Sequence, residues 1–171
     1  PLITIEKPLS RSFFNESTLS YSISEDLVFG NILINRESGN ADNNAPHNIS
    51  LSAELIKSGD RNLNNLKWVD GTTYSLEISG SDKAGNNAKT VKLDQISYDI
   101  TLPIIKIDNL INNSYINTNI LSYTLSEKLS KATITFTQIS GALDESSPQV
   151  LKLEGKELNQ GSFKNVKLKN G

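Results

Sequence analysis

The residues able to do chemistry in this chain are few. His47 is the only histidine and cysteine is absent, so acid–base catalysis has to be sought around one imidazole, and disulfides and thiolate metal sites are excluded. Ser50 follows three residues later, which raises a nucleophile and its base. No motif supplies the acid that would orient the imidazole, and such a triad is defined by geometry rather than composition. After Pro46, His47 reads as a loop residue. Trp68, the sole tryptophan, could be a platform for a sugar ring, but its place in an apolar alternation points to the core. Carboxylates offer one further chemistry, because Ca²⁺ takes oxygen ligands. Asp70 and Asp99 would lie at one end of a first domain and Glu127 would face them from a second, so the three could share an interdomain calcium ion. Lys128 beside Glu127 weakens that set, and neither an EF-hand nor a Gly-Gly-x-Gly-x-Asp pattern occurs. Asn15-Glu16-Ser17, Asn48-Ile49-Ser50 and Asn112-Asn113-Ser114 fit the N-glycosylation pattern, which chance supplies readily in a chain rich in Asn and Ser. No catalytic, cofactor-binding or metal site is assigned, and no enzymatic activity is expected of this segment.

The elements that would position these residues come twice. A constant offset of 102 places Pro1 to Leu27 on Pro103 to Leu129 with 11 identities in 27 positions, among them Leu19-Ser20-Tyr21 on Leu121-Ser122-Tyr123. The offset continues through Asp42 on Asp144, Pro46 on Pro148, Leu51 on Leu153 and Gly59 on Gly161; a two-residue deletion then brings Trp68 onto Leu168 and Gly71 onto Gly171. A repeat of roughly 100 residues is too long for a solenoid unit, so each copy should be a domain of its own. The expected domains are 1–101, complete, and 102–171, partial.

Within a copy the period is two, the mark of strands with one buried face. Leu19, Tyr21 and Ile23 alternate with serines, as Leu121, Tyr123 and Leu125 alternate with Ser and Thr; Ile32 and Ile34 match Ile134 and Phe136, whose neighbours Thr133, Thr135 and Thr137 face outward. Ile49 and Leu51 match Leu151 and Leu153, and Leu66 and Trp68 match Val166 and Leu168 as a further strand. The first copy adds Tyr74, Leu76 and Ile78, a turn at Asp82-Lys83-Ala84-Gly85-Asn86-Asn87, and a return through Val91 and Leu93. Gly85 and Asn86 both tolerate the positive φ of such a turn, and Asp82 can accept its amides. Ile96, Tyr98 and Ile100 then fall on the opposite parity, which predicts a bulge near Asp94-Gln95. With the opening Leu2 to Ile5, about seven short strands and no helical period predict an all-β fold, an antiparallel immunoglobulin-like β-sandwich in two tandem copies. The second copy stops before the last two strands, as a boundary drawn through a longer array would leave it; the alternative is that its open edge accepts a strand from a partner.

Charge and hydropathy narrow the partners. Up to Tyr98 there are 9 basic and 12 acidic residues, and from Asp99 onward 8 and 7, so neither copy carries the concentrated positive face that nucleic acid requires. No apolar run approaches the roughly 20 residues of a membrane span, so no membrane insertion is expected in this segment. It shows no signal peptide, and a chain that opens on Pro-Leu-Ile-Thr-Ile without methionine reads as a piece of something longer.

The run Gly71-Thr72-Thr73-Tyr74-Ser75-Leu76, then Gly80-Ser81-Asp82-Lys83-Ala84-Gly85-Asn86, then Asp99-Ile100-Thr101-Leu102-Pro103, resembles bacterial Ig-like (Big-type) tandem repeats of large surface or secreted adhesin-like proteins. Ser24-Glu25-Asp26-Leu27 and Ser126-Glu127-Lys128-Leu129 are similar to an element of the same group. The resemblance implies a structural spacer module, extracellular or at the bacterial cell surface. Its partners would be neighbouring repeats of the same chain, with any host or surface ligand met by other parts of the parent. A glycan- or protein-binding module, or an accessory domain of a secreted hydrolase, are the alternatives. At the seam, Pro103 lacks an amide donor and holds Leu102 extended, which stiffens the link.

Overall fold

Period-two patterning builds sheets, and which sheets form depends on which strand edges meet. The structure, a computed structural model, describes residues 1–113, 115 and 119–167, with 164–167 as backbone only. Ser114 of the third sequon, Leu168 and Gly171 lie outside the described residues, as does the side chain of Val166. The chain divides into two compact units, Pro1–Thr101 and Leu102–Gly171.

The first unit has eight strands: β1 (Ile3–Lys7), β2 (Phe13–Phe14), β3 (Leu19–Ile23), β4 (Leu27–Gly39), β5 (His47–Ser50), β6 (Gly59–Leu63), β7 (Thr72–Asp82) and β8 (Val91–Tyr98). They form two sheets, β1-β3-β6 and β2-β8-β7-β4-β5. All pairings are antiparallel except β2 with β8, where Phe13 lies opposite Ser97 and Phe14 opposite Tyr98. One core fills the space between the sheets: Ile3, Leu19, Tyr21 and Ile23 come from the first, and Ile32, Ile34, Tyr74, Leu76, Ile78 and Ile96 from the second. This is an antiparallel β-sandwich with the strand pairing of the immunoglobulin type.

Local details follow the expected residues with three differences. The bulge sits at Asp94–Gln95, where Tyr74 pairs with Ile96 but Leu76 with Leu93, and Gln95 has φ 53°. The β7–β8 turn is held by Asp82, whose carboxylate accepts the Asn86 amide and side-chain Nδ2, each at 2.8 Å. Gly85 alone of the expected pair has positive φ, 87°; Asn86 serves through its hydrogen bonds instead. Leu66 to Trp68 is not a strand. The strand there is β6; Asn65 with φ 61° interrupts the regular ladder, Leu66 N–H still donates to Ser17 O at 3.0 Å, and Leu66 and Trp68 pack on the core from an irregular segment. The third difference is β2, a two-residue strand that the sequence pattern did not announce.

The second unit has β9 (Ile105–Ile107), β10 (Ile120–Leu125), β11 (Ala132–Phe136), β12 (Gln149–Leu153), a 3-10 turn at Gly155–Leu158 and β13 (Gly161–Lys167), in sheets β9-β10-β13 and β11-β12. Its core is Leu121, Tyr123, Leu125 and Leu153. Ile134 and Phe136 are half-buried, whereas Ile32 and Ile34, flanked by β7 in the first unit, are buried.

Candidate functional site

The most connected polar cluster lies where the β4–β5 hairpin meets the start of β7. The hairpin is closed by Arg36, whose guanidinium donates to the carbonyls of Gly39 (2.6 Å) and Asn40 (2.8 Å). Gly39 has φ 84°, and a Cβ there would stand 2.1 Å from the Gly71 carbonyl, so only glycine lets the two loops approach this closely. Asn40 then spans the gap: its backbone amide donates to Gly71 O at 3.1 Å, its Nδ2 to Asp70 O at 2.8 Å, and its carbonyl accepts the Thr72 hydroxyl at 3.0 Å.

This frame places Asp42 inside, with 1% of its side chain exposed. Oδ1 accepts the Asn44 amide at 3.0 Å in an Asx turn. Oδ2 accepts two donors, His47 Nε2 at 2.7 Å and the Tyr74 hydroxyl at 2.9 Å. Burial works against the charge of Asp42, yet His47, the Asn44 amide and the Tyr74 hydroxyl together hold its carboxyl below the usual carboxylate range. An ionised carboxylate only accepts, so Nε2 carries the proton. Burial pushes the Tyr74 hydroxyl up, with Asp42 adding to it; the same hydroxyl oxygen accepts the Val69 amide at 2.9 Å, the side-chain-to-upstream-backbone bond of a tyrosine corner.

His47 is therefore not a loop residue. It opens β5 opposite Ile34, and it does have an acid partner, because the Asx turn folds Asp42 back beside it. Among the described residues no hydroxyl is hydrogen-bonded to the imidazole as a nucleophile would be. Ser50 lies three positions further along the same strand, hence on the opposite face, and Tyr74 bonds the carboxylate rather than the imidazole. The cleft beside His47, walled by Ile34, Ile49, Leu66 and Trp68, measures about 150 Å³, below the several hundred of a small-molecule site. What the cluster does is bind the β4–β5 hairpin to β7.

Trp68 belongs to the core. Its ring meets Phe14 edge-on at 5.1 Å and Tyr74 at 5.0 Å, and its Nε1 is buried without a hydrogen-bond partner. Asp70 is committed to the chain exit: Oδ1 accepts the Ile100 amide and Oδ2 the Thr101 hydroxyl, each at 2.8 Å. The Ile100 amide, then the Thr101 hydroxyl, hold its carboxyl below the ordinary range. Asp99 Oδ1 accepts the Thr101 amide at 3.1 Å. Glu127, in the second unit, has Oε1 buried without a partner. Among the described residues no three or more His, Cys, Asp or Glu side chains come together as metal ligands. Asn15 and Asn48 are both exposed. Sequence reasoning passed over Asp42 as a partner for His47. The available signal was its recurrence as Asp144, which forms the same Asx turn by accepting the Ser146 amide at 2.9 Å.

No protein-family model matches the chain, and no curated protein matches it by sequence.

Proposed function

We propose that the chain is a non-enzymatic spacer: tandem immunoglobulin-like repeats of a bacterial cell-surface or secreted adhesin-like protein. The observation that carries this reading is the parallel β2–β8 pair. The chain enters the first unit through β1, which pairs with β3, and comes beside β8 in β2; its C-terminal side leaves through β8. Tension applied at the two ends therefore pulls these neighbours in opposite directions along their length. The bonds between them, Ser97 N–H to Ser12 O and Asp99 N–H to Phe14 O, both 2.9 Å, are loaded in shear and must break together rather than one by one. Asp70 adds to this by tying Ile100 and Thr101 to the body of the unit.

Support for the tandem repeat comes from contacts that recur at the same offset of 102. Tyr21 donates its hydroxyl to Leu55 O at 2.8 Å and Tyr123 to Glu157 O at 3.0 Å. Leu27 N–H bonds Ile56 O and Leu129 N–H bonds Leu158 O, both at 2.8 Å. Tyr21 sits opposite Ile5 and Arg61, Tyr123 opposite Ile107 and Phe163.

Force spectroscopy on the chain held by its termini tests the reading. The first unit should open in one event that frees about 350 Å of chain, its 101 residues at roughly 3.5 Å each. Ser97→Pro, which removes one shear-loaded donor, should lower the force of that event. Extension of the wild-type first unit without a force peak, or equal forces for wild type and variant, would sink the proposal.

A further inference from the structure

The sandwich carries an exposed aromatic ring that its core does not explain. Phe13, in β2, is 79% exposed and stands between two clefts, lining both. One, of about 320 Å³, includes Glu6, Leu9 and Glu16. The other, of about 370 Å³, includes Arg11, Glu37, Thr73 and Gln95. Backbone geometry marks the same place. Four described non-glycine residues have positive φ: Arg11, Asn65, Gln95 and Asn113. Asparagine adopts that region readily, but arginine and glutamine do so at a cost that surrounding structure must impose. Both of these reluctant residues line the second cleft, and the link that imposes the strain is visible: the Arg11 amide donates to Asp94 O at 2.9 Å, and Ser10 exchanges two hydrogen bonds with Asp94. The segment before Phe13 is thus stapled to the β8 bulge, and the ring is held out on a rigid edge.

The second unit carries an aromatic at the corresponding position, with no counterpart of the Asp94 staple among the described residues. At the offset of 102, Leu9, Arg11 and Phe13 correspond to Ile111, Asn113 and Tyr115; Asn113 has φ 61°, Ile111 is 77% exposed and Tyr115 fully so.

We propose that Phe13 is a stacking platform for a neutral saccharide, a binding role beyond spacing. The C–H face of a pyranose is apolar and weakly positive, which suits the negative face of an aromatic ring. The second cleft is lined by Arg11, Gln95 and Glu37, whose side chains end in planar polar groups of the kind that pair with adjacent hydroxyls through two hydrogen bonds at once. Charges near Phe13 are mixed, Lys7 and Arg11 against Glu6, Glu16 and Glu37, which selects against a polyanion and against a polycation. The clefts fall in the size range of a few sugar rings.

The test is a titration of the isotope-labelled 171-residue chain with cellohexaose, chitohexaose and mannohexaose at millimolar concentration, read by amide chemical shifts. At least one sugar should move amides of residues 9–14 and 95–97. Phe13→Ala should weaken that binding about tenfold, the loss of one stacked ring, while leaving the melting temperature in place because the side chain is exposed. The proposal is overturned if none of the three sugars moves these amides, if the shifts map elsewhere, or if Phe13→Ala binds as tightly as wild type. Any of those results leaves the tension-bearing reading of the β2–β8 pair standing on its own experiment.

Discussion

Tyr74→Phe is the sharpest probe of the buried cluster, since it deletes one oxygen and keeps the ring. That oxygen serves two bonds, donating to Asp42 Oδ2 at 2.9 Å and accepting the Val69 amide at 2.9 Å. Both partners lose a contact in a site closed to water, at about 1 to 1.5 kcal/mol each, the bond to the ionised carboxylate lying at the upper end. The variant should therefore lose about 2 to 3 kcal/mol. In a unit of this size each kcal/mol moves the melting temperature by roughly 4 to 8 °C, so a fall of about 15 °C is expected. Trp68 is the only tryptophan and lies in the first unit with its ring 5.0 Å from that of Tyr74, so its fluorescence on heating reports this unit alone. Tyr21→Phe, which loses a single hydroxyl bond to Leu55 O, should cost about half as much. His47→Ala removes the other donor to Oδ2, and the two changes should couple by about 1 kcal/mol in a double-mutant cycle. A fall of less than about 3 °C for Tyr74→Phe, or additivity within about 0.3 kcal/mol, would refute the cluster as the clasp between hairpin and β7.

Glycine substitutions should separate steric from conformational cost. Gly39→Ala meets the Gly71 carbonyl and should unfold the first unit at 37 °C or below, as read by circular dichroism. Gly85→Ala has open space at Cβ and should lose only about 1 to 2 kcal/mol for its φ of 87°. Acid stability follows the depressed carboxyls of Asp42, Asp70 and Asp82. Their contribution is whole above the unfolded value near 4 and is lost as pH falls through the lower folded values. A denaturant midpoint that stayed flat on acidification below about pH 4 would contradict this. At the alkaline end burial raises the Tyr21 hydroxyl to about 12, so its share is whole below about 10 and is lost as pH climbs toward 12. The difference in phenolate absorbance between wild type and Tyr21→Phe isolates this group, and a normal tyrosine midpoint in that difference would overturn it. Because the oxygens of Asp70 already hold Ile100 and Thr101, calcium and chelator should give equal melting temperatures, checked by scanning calorimetry.

Much of the fold was legible because a two-residue period and turn chemistry are local. Leu19, Tyr21 and Ile23 had to face one side of a strand whatever their neighbours, Asp82 and Gly85 spelled a tight turn, and the parity change after Leu93 located a bulge that one extra residue must create. The stretch from Leu66 to Trp68 misled for a related reason: burial alternates there, but alternation does not say whether the ladder stays regular, and the positive φ of Asn65 breaks the register beside β3 although Leu66 N–H still bonds Ser17 O. The pairing of Asp42 with His47 and Tyr74 was beyond any local pattern, since it joins a hairpin loop to a strand 32 residues on. So was Phe13. By type it read as one more apolar residue near Phe14, yet the chain crosses between sheets at this point, and Phe14 takes the inward place against Trp68 and Tyr98 while Phe13 faces solvent. The amino-acid sequence by itself determined an all-β chain and the inward face of most strands, because side-chain period and turn propensity act over a few residues. Only the tertiary structure decided which polar groups share a buried site, which ends are coupled in parallel, and which aromatic is left outside, because those depend on the pairing of edges far apart in the chain.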